Sequence, residues 1–375
     1  MNIRERYIET LTFGTPDKIP FDPGWPREST IAAWHQQGLP EGANWLEYLV
    51  GVLHIDYDWT RTPMIDIGVD FRLMPQFEEK VLEHKDGHYI VQDWKGNICE
   101  ISDEYDVTYL RYGKDFVTRR WIKCPVENRE DWEQMKLSYD TDTPDRFPAN
   151  FNEQYRKAVD RDYLSIVGIS GPFWQMREWC GFEGLCMMML EQPELVAEMA
   201  DFWMNFVSDM LKRILDNVVF DLLYISEDMA YKAKAMISPE MTREFCKPSW
   251  DCWTSQIRAA GVPIVDMDSD GYVGELIPIW IESGLKVCDP IEVAAHNDIV
   301  QYRRQFGRKM AYRGGVDKRA ISTGGNIIKN ELKRIEPVIK DGGYIPSCDH
   351  AVPSDVSWPD FVEYSRLLAQ ITGWL

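Results

Sequence analysis

Short apolar runs alternate with helix-length segments through the second half of the chain, and this rhythm most constrains the fold. Repeated strand and helix units of this kind predict parallel strands joined by helical crossovers. Two further short runs, near residues 19–21 and 64–67, bring the predicted strands to eight, which predicts an α/β fold of the closed (β/α)8 TIM barrel type. The six later runs are Leu164-Ser-Ile-Val-Gly168, Asp221-Leu-Leu-Tyr-Ile225, Val262-Pro-Ile-Val265, Leu285-Lys-Val287, Met310-Ala-Tyr312 and Gly343-Tyr-Ile-Pro346.

Residues 76–101 have a different pattern. Apolar and polar residues alternate with a period of two, and the pairs Asp86-Gly87 and Gly96-Asn97 interrupt the alternation. This predicts an antiparallel β-meander inserted over the barrel mouth. We therefore expect one barrel domain over residues 1–375, with the meander at 76–101 inside it.

The charge balance restricts the partners. The chain of 375 residues has a formal net charge of −20, whereas nucleic acids and anionic membranes are bound by positive surfaces. The eight cysteines are scattered, the N-terminus has no apolar signal core, and no window of 18 apolar residues occurs. We expect a cytoplasmic protein with mostly free thiols, and the sequence leaves open whether it forms a homodimer.

Acidic residues follow several of the predicted strands. In a barrel of parallel strands these positions meet at one mouth, where the chemistry takes place. Carboxylates this close repel one another unless one is protonated or a cation lies between them. The predicted mouth contains Glu227, Asp228, Asp268, Asp270, Glu292, Cys348, Asp349 and His350.

A mixture of carboxylate, thiol and imidazole groups suits zinc. The residues at the mouth therefore predict Asp268, Asp270 and Cys348 as metal ligands. We further predict catalytic roles for Glu227, Asp270 and His350. Helix capping and ordinary turn chemistry explain the same aspartates equally well, and this alternative stays open.

Aromatic and flexible apolar residues cluster near the predicted mouth, notably over residues 171–179. Such surfaces suit an aromatic ligand, and an arginine there can pair with a substrate carboxylate or a neighbouring acid. Packing inside the core is the alternative. The predicted substrate-binding residues are Trp25, Arg27, Phe173, Trp174, Met176, Tyr224 and Arg313.

Four stretches carry a family resemblance. The opening (Arg4-Glu-Arg6 with Thr12-Phe-Gly-Thr-Pro-Asp-Lys-Ile-Pro20) and the late stretch Gly343–Pro353 resemble the uroporphyrinogen decarboxylase superfamily. Asp268-Ser-Asp-Gly271 and Gly314-Gly-Val-Asp-Lys318 are similar to its corrinoid-dependent methyltransferase branch, which includes O-demethylase methyltransferases of anaerobic bacteria. The resemblance implies a (β/α)8 barrel and one of two activities. One is cofactor-free decarboxylation of a tetrapyrrole, and the other is methyl transfer involving a corrinoid protein, usually with zinc.

The decarboxylases of the superfamily open with Met-Arg-Gln-Ala-Gly-Arg, whose arginines hold substrate carboxylates. The comparable stretch here is Gly24-Trp-Pro-Arg-Glu-Ser29, so only Arg27 carries over. One such arginine on an acidic chain suits a polyanionic substrate poorly. Decarboxylation is therefore the second reading.

The methyltransferases carry zinc ligands in His-x-Cys-Gly and Pro-Gly-Cys motifs. Asp268-Ser-Asp270-Gly271 and Pro346-Ser-Cys348 stand at these places, so two aspartates replace the histidine and one cysteine. Oxygen ligands leave zinc more Lewis acidic, which suits an ether oxygen more than a thiol. The resemblance thus implies methyl transfer from a small methylated substrate, preferably a phenyl methyl ether, to the cob(I)alamin of a partner corrinoid protein. A quaternary amine donor and a non-catalytic binding protein for small aromatics are the alternatives.

Overall fold

The protein was analysed as a computed structural model, which describes residues 1–115, 117–151 and 161–375. Its strands fall into a parallel and an antiparallel sheet. They are β1 (Met64–Asp66), β2 (Lys80–Lys85), β3 (His88–Gln92), β4 (Ile98–Ser102), β5 (Arg119–Lys123), β6 (Leu164–Ser170), β7 (Leu222–Ser226), β8 (Ile264–Asp268), β9 (Val287–Asp289), β10 (Ala311–Val316) and β11 (Tyr344–Cys348).

Helices connect the parallel strands, as the sequence predicts. Before β6 the α-helices are Ile3–Leu11, Glu28–His35, Trp45–Leu53, Val107–Tyr112 and Arg129–Lys136. After β6 they are Pro172–Cys180, Phe182–Glu191, Pro193–Leu215, Pro239–Met241, Lys247–Ala259, Ile277–Glu282, Ile299–Phe306, Lys318–Thr323, Gly325–Asp341 and Trp358–Thr372.

The parallel sheet has seven strands in the order β1-β6-β7-β8-β9-β10-β11. This confirms the α/β class, the strand near residues 64–67 and the six later runs. The predicted strand near residues 19–21 is wrong, because no strand forms there. Pro20, Pro23 and Pro26 lack the N–H groups that a ladder needs.

The segment that follows residue 21 runs beside β11 without joining the ladder. Val352 N–H donates to Trp25 O over 2.8 Å, and Pro26 forms an isolated parallel bridge with Val352. Among the described residues no ladder joins β1 to β11, so the sheet is not closed by hydrogen bonds. The closed eight-stranded barrel therefore remains a prediction.

The concave side of the sheet changes from apolar to polar along the strands. One apolar residue from each of β6–β11 packs with Tyr7 and Leu11 of the first helix. Because strand side chains alternate, residues two positions further on face the same interior. Tyr224 follows Leu222, Asp266 follows Ile264, Asp289 follows Val287 and Arg313 follows Ala311. Polar groups thus gather toward the carboxyl ends above an apolar layer, whose buried Leu and Ile side chains contribute ~2 kcal/mol each.

The antiparallel sheet has the order β2-β3-β4-β5, which confirms the predicted meander. Asp86 and Gly87 connect β2 to β3, and both have positive φ angles, of 51° and 77°. Two positive φ angles are typical of a tight hairpin turn. The sheet continues past residue 101 and gains β5, which the sequence pattern did not predict. The assignment of residues 1–375 to a single domain stays a prediction.

All eight cysteines are free thiols, as expected. Within the described ranges, no helix is both long enough and apolar enough to cross a membrane.

Candidate functional site

A cavity of about 620 Å³ lies at the carboxyl ends of β1, β6 and β7. Its strand-end residues include Asp66, Tyr224 and Ser226, and Trp174 of the helix Pro172–Cys180 forms part of its wall. Trp94 of the turn between β3 and β4 closes another side. The turn between β3 and β4 of the antiparallel sheet therefore lies at the carboxyl ends of these parallel strands. We call this space the mouth cavity.

Ionic pairs and aromatic rings together form the cavity wall. Lys95 lines it and pairs with Glu178. Arg72 also lines it, and its Nε donates to Asp70 Oδ1 over 2.9 Å. The Lys95 ammonium lies 5.3 Å from the centroid of the Trp94 ring, a separation that favours a cation–π contact. The cavity thus offers aromatic surface, while both of these cations are already paired.

Asp268 lies just below the mouth cavity and connects to it through two hydroxyl groups. Ser226 Oγ is 3.2 Å from Asp268 Oδ2, and the Tyr224 hydroxyl also hydrogen-bonds to this carboxyl group. Burial raises the pKa of Asp268 well above its ordinary value, and the nearby carboxylates of Asp289 and Asp270 raise it further. The protonated form of the Asp268 carboxyl group is therefore more favoured in the folded protein than it is for an ordinary aspartate. A carboxyl group with a raised pKa, beside two hydroxyls that line a cavity, is the arrangement of a general acid.

Arg313 lies in the interior between two acids. Its Nη1 is 2.9 Å from Asp266 Oδ2 and 3.1 Å from Asp289 Oδ2. Burial raises the pKa of Asp289 above its ordinary value, and the guanidinium group opposes that rise. The structure thus gives this predicted substrate-binding arginine two protein partners, so a substrate carboxylate would have to compete with them.

Most acidic residues of the predicted mouth already have hydrogen-bond or ion-pair partners within the protein. His350 Nε2 lies 3.2 Å from Asp270 Oδ2, which brings together two predicted catalytic residues. Asp228 pairs with Arg177 at 3.0 Å. The Lys318 ammonium group lies 2.8 Å from Glu292 Oε1. The backbone N–H of Lys318 donates to Asp349 Oδ1 over 3.1 Å.

Glu227 is not among the residues that line the mouth cavity, and its catalytic role stays a prediction. Its side chain is fully buried. One oxygen accepts from the backbone N–H of Trp174 over 3.0 Å, and the other accepts from Trp250 Nε1 over 3.1 Å. Burial raises the pKa of Glu227 to about 8. The residue therefore caps the start of the helix Pro172–Cys180 and fixes that helix on β7.

Three predicted substrate-binding residues also lie elsewhere. Phe173 and Met176 are fully buried in the main core, so they support the helix that carries Trp174 and do not line the cavity. Arg27 occupies the N-cap position of the helix Glu28–His35, outside the lining of the mouth cavity. Trp174 and Tyr224 do line this cavity, whereas Trp25 and Arg313 line a smaller one.

The donor arrangement does not fit the predicted zinc site. Among residues 1–115, 117–151 and 161–375, no three His, Cys, Asp or Glu side chains are grouped so that they could hold a metal ion. Cys348 is buried, and burial raises the pKa of its thiol far above the ordinary value. A Cβ on Gly24 would lie only 2.7 Å from Cys348 Cβ, so the backbone closes that side. Zinc binding at the mouth stays a prediction.

Sequence reasoning missed several lining residues. Trp94 and Lys95 could have been found, because they precede Gly96-Asn97 in the meander that was expected to lie over the mouth. Ser226 directly follows a predicted strand. Asp66 ends the three-residue strand β1. This strand is too short for its pattern of apolar and polar residues to show which side chains face the interior.

Comparison with known proteins identifies the family. The family model described as uroporphyrinogen decarboxylase (URO-D) matches residues 119–361, more than half of the chain, and the protein belongs to this family of enzymes. The family has a domain of TIM-barrel type, which agrees with the seven parallel strands.

A solved structure shows the same fold. A methyltransferase from Methanosarcina mazei aligns with a TM-score of 0.56 and 11% sequence identity, over 98% of this chain and 98% of the other. At this identity the likeness concerns the fold. No curated protein matches the chain significantly.

Proposed function

We propose that the protein is a methyltransferase that removes a methyl group from a small methylated substrate, preferably a phenyl methyl ether, in the mouth cavity. One observation carries the proposal. Asp268, whose pKa is raised well above its ordinary value by burial, hydrogen-bonds to Ser226 and Tyr224, whose side chains line a cavity with aromatic walls. The methyltransferase from Methanosarcina mazei supports it at the level of the fold.

Methyl removal from an aryl ether breaks the bond between oxygen and the methyl carbon. Both electrons of this bond stay on the oxygen, which must be stabilised as it becomes a phenolate. The proton of Asp268 reaches that oxygen through Ser226 Oγ or Tyr224 Oη, and a neutral phenol leaves. Proton transfer by a positioned acid accelerates such steps by about 10²–10⁴-fold.

Trp94 and Trp174 hold the aromatic ring, so that the ether oxygen faces the two hydroxyls. The acceptor of the methyl group would be the reduced corrinoid of a partner protein, which supplies the nucleophile when it is bound. The acceptor must approach the cavity from solvent, and the Arg72 side chain, which lines the cavity, is 52% exposed.

Decarboxylation is the second candidate, because the family model carries that name and because Arg72 and Lys95 line the cavity. Both cations are paired with acids, which leaves little positive charge for a substrate with several carboxylates. A cofactor-free decarboxylase needs no methyl acceptor, so only the methyltransferase candidate requires cob(I)alamin.

A panel assay tests the proposal. The protein is incubated with methoxyphenols, methylated amines or aromatic carboxylic acids, each with and without free cob(I)alamin. We expect phenol release from a methoxyphenol only when cob(I)alamin is present, with equimolar methylation of the corrinoid. Release of carbon dioxide from a carboxylic acid without cob(I)alamin would instead establish the decarboxylase.

A further inference from the structure

A second, smaller cavity lies where the parallel sheet is not closed. It has a volume of about 270 Å³, and residues 21–25 and 62–64 and Arg313 are among those that line it. It therefore lies between the segment that runs beside β11 and the start of β1, and it reaches the interior at Arg313. We call it the seam cavity. Aromatic side chains form much of its wall, namely Tyr7, Phe21, Trp25, Trp45, Tyr57 and Trp59.

The positive groups that line the seam cavity are already neutralised. Arg61 pairs with Asp162 and lies 2.8 Å from Asp58. Arg313 lies between two interior aspartates, as described above. Two acids therefore face each guanidinium group, and an anionic ligand would have to compete with them.

Asp22 supplies a negative charge to the same cavity. Its Oδ1 accepts a hydrogen bond from the backbone N–H of Gly24 over 3.1 Å. Within the part of the chain that the structure describes, no Lys, Arg or His side chain forms an ion pair with Asp22. The cavity thus combines an uncompensated carboxylate with several aromatic rings.

We infer that the seam cavity binds a small organic cation, in the form of an ammonium group that carries methyl groups. The faces of aromatic rings are negative and attract cations, and the attraction is strongest where water is excluded. Methyl groups on the nitrogen contact such rings and need no hydrogen-bond acceptors, whereas a bare ammonium would need three. This inference concerns binding, and it holds whether or not the reaction in the mouth cavity is methyl transfer.

Paired ligands of the same shape test the inference. Calorimetric titration of the full-length protein with choline is compared with titration with 3,3-dimethylbutan-1-ol, in which carbon replaces the charged nitrogen. We expect choline to bind and its neutral counterpart to bind about tenfold more weakly. Equal affinity for both compounds, or no binding of choline at millimolar concentration, would overturn the inference.

Two variants locate the binding site. Asp22→Asn removes the charge and keeps the oxygen that accepts from Gly24, so the local turn is retained. Trp25→Ala removes a ring that is 67% exposed at the rim. We expect each to weaken choline binding by about 3- to 30-fold. Trp121→Ala on β5, which is outside the seam cavity, is the control and should bind choline like the wild type. Unchanged choline binding in both Asp22→Asn and Trp25→Ala would contradict the inference.

Discussion

His350 Nε2 lies 3.2 Å from Asp270 Oδ2, so two residues that are 80 positions apart meet beyond the carboxyl ends of β8 and β11. The contact is the strongest influence on the imidazole. It raises the pKa of His350 above its ordinary value, and burial opposes that rise. The imidazolium form is therefore more favoured in the folded protein than in the unfolded chain.

The first prediction concerns this contact. In Asp270→Asn the pKa of His350 should fall toward its ordinary value, because the charged acceptor is lost. Titration of the histidine side-chain signals by NMR measures this change, with His350→Gln used for assignment. Asp103→Asn, which removes the partner of the exposed His84, is the control and should leave the titration of His350 unchanged. A His350 that titrates identically in wild type and Asp270→Asn contradicts the assignment.

The same contact sets a pH dependence of stability. A group whose pKa is raised on folding stabilises the protein below its unfolded pKa, here about 6.5, and loses this contribution as the pH rises through the folded value. The difference in unfolding free energy between wild type and His350→Gln should therefore be larger at pH 6 than well above the folded pKa.

The second prediction concerns the buried Glu227. Folding raises the pKa of this carboxyl group from 4.5 to about 8, mainly through burial. The protonated acid is thus favoured in the folded state. Its stabilising contribution is complete below pH 4.5 and is lost as the pH rises through about 8. Urea unfolding of wild type and Glu227→Gln across this range should show a falling difference, since glutamine does not titrate; a constant or rising difference would contradict the prediction.

The third prediction separates a buried ion pair from an exposed one. Arg313→Met leaves Asp266 and Asp289 without their cation in the interior, and we expect a loss of about 3–5 kcal/mol in unfolding free energy. Arg319→Ala breaks a pair with Asp317 whose arginine is 60% exposed, and we expect a loss of at most about 1 kcal/mol. Chemical denaturation measures both values. Similar losses in the two variants would contradict the interior position of Arg313.

The fourth prediction concerns the aromatic wall of the mouth cavity. Trp94→Ala should raise KM for an aromatic substrate about 3- to 10-fold and change kcat little, because the ring binds substrate and transition state alike. Trp121→Ala removes an indole from the same antiparallel sheet outside the cavity and should leave KM unchanged. Steady-state kinetics distinguish the two variants. A loss confined to kcat in Trp94→Ala would show that the ring does more than hold the substrate.

The sequence predicted the parallel strands well because each is a short apolar run between helices. It failed at residues 19–21, where an apolar pattern is interrupted by proline. Pro20 and Pro23 remove ladder donors, and no strand forms there. A pattern of hydrophobicity does not record which N–H groups are present.

The candidate site was harder to predict than the fold, because burial decides what a side chain can reach. Glu227 and Asp268 both stand at or next to a strand end, yet only Asp268 connects to the mouth cavity, through Ser226. Glu227 is occupied by donors from Trp174 and Trp250, which lie in other elements. Such contacts depend on tertiary packing, and local sequence patterns do not predict them.

Asp268 is proposed to provide the proton for the leaving oxygen. The dependence of the methyl-transfer rate on the leaving group tests this role most directly. Methyl transfer to cob(I)alamin is measured for wild type and Asp268→Asn with two aryl methyl ethers, one that releases a weakly acidic phenol and one that releases a nitrophenol. We predict that Asp268→Asn slows the first ether by about 10²–10⁴-fold, and slows the nitrophenyl ether far less, since a good leaving group needs little protonation. Equal rates in the two proteins, or an equal loss for both ethers, would contradict the account.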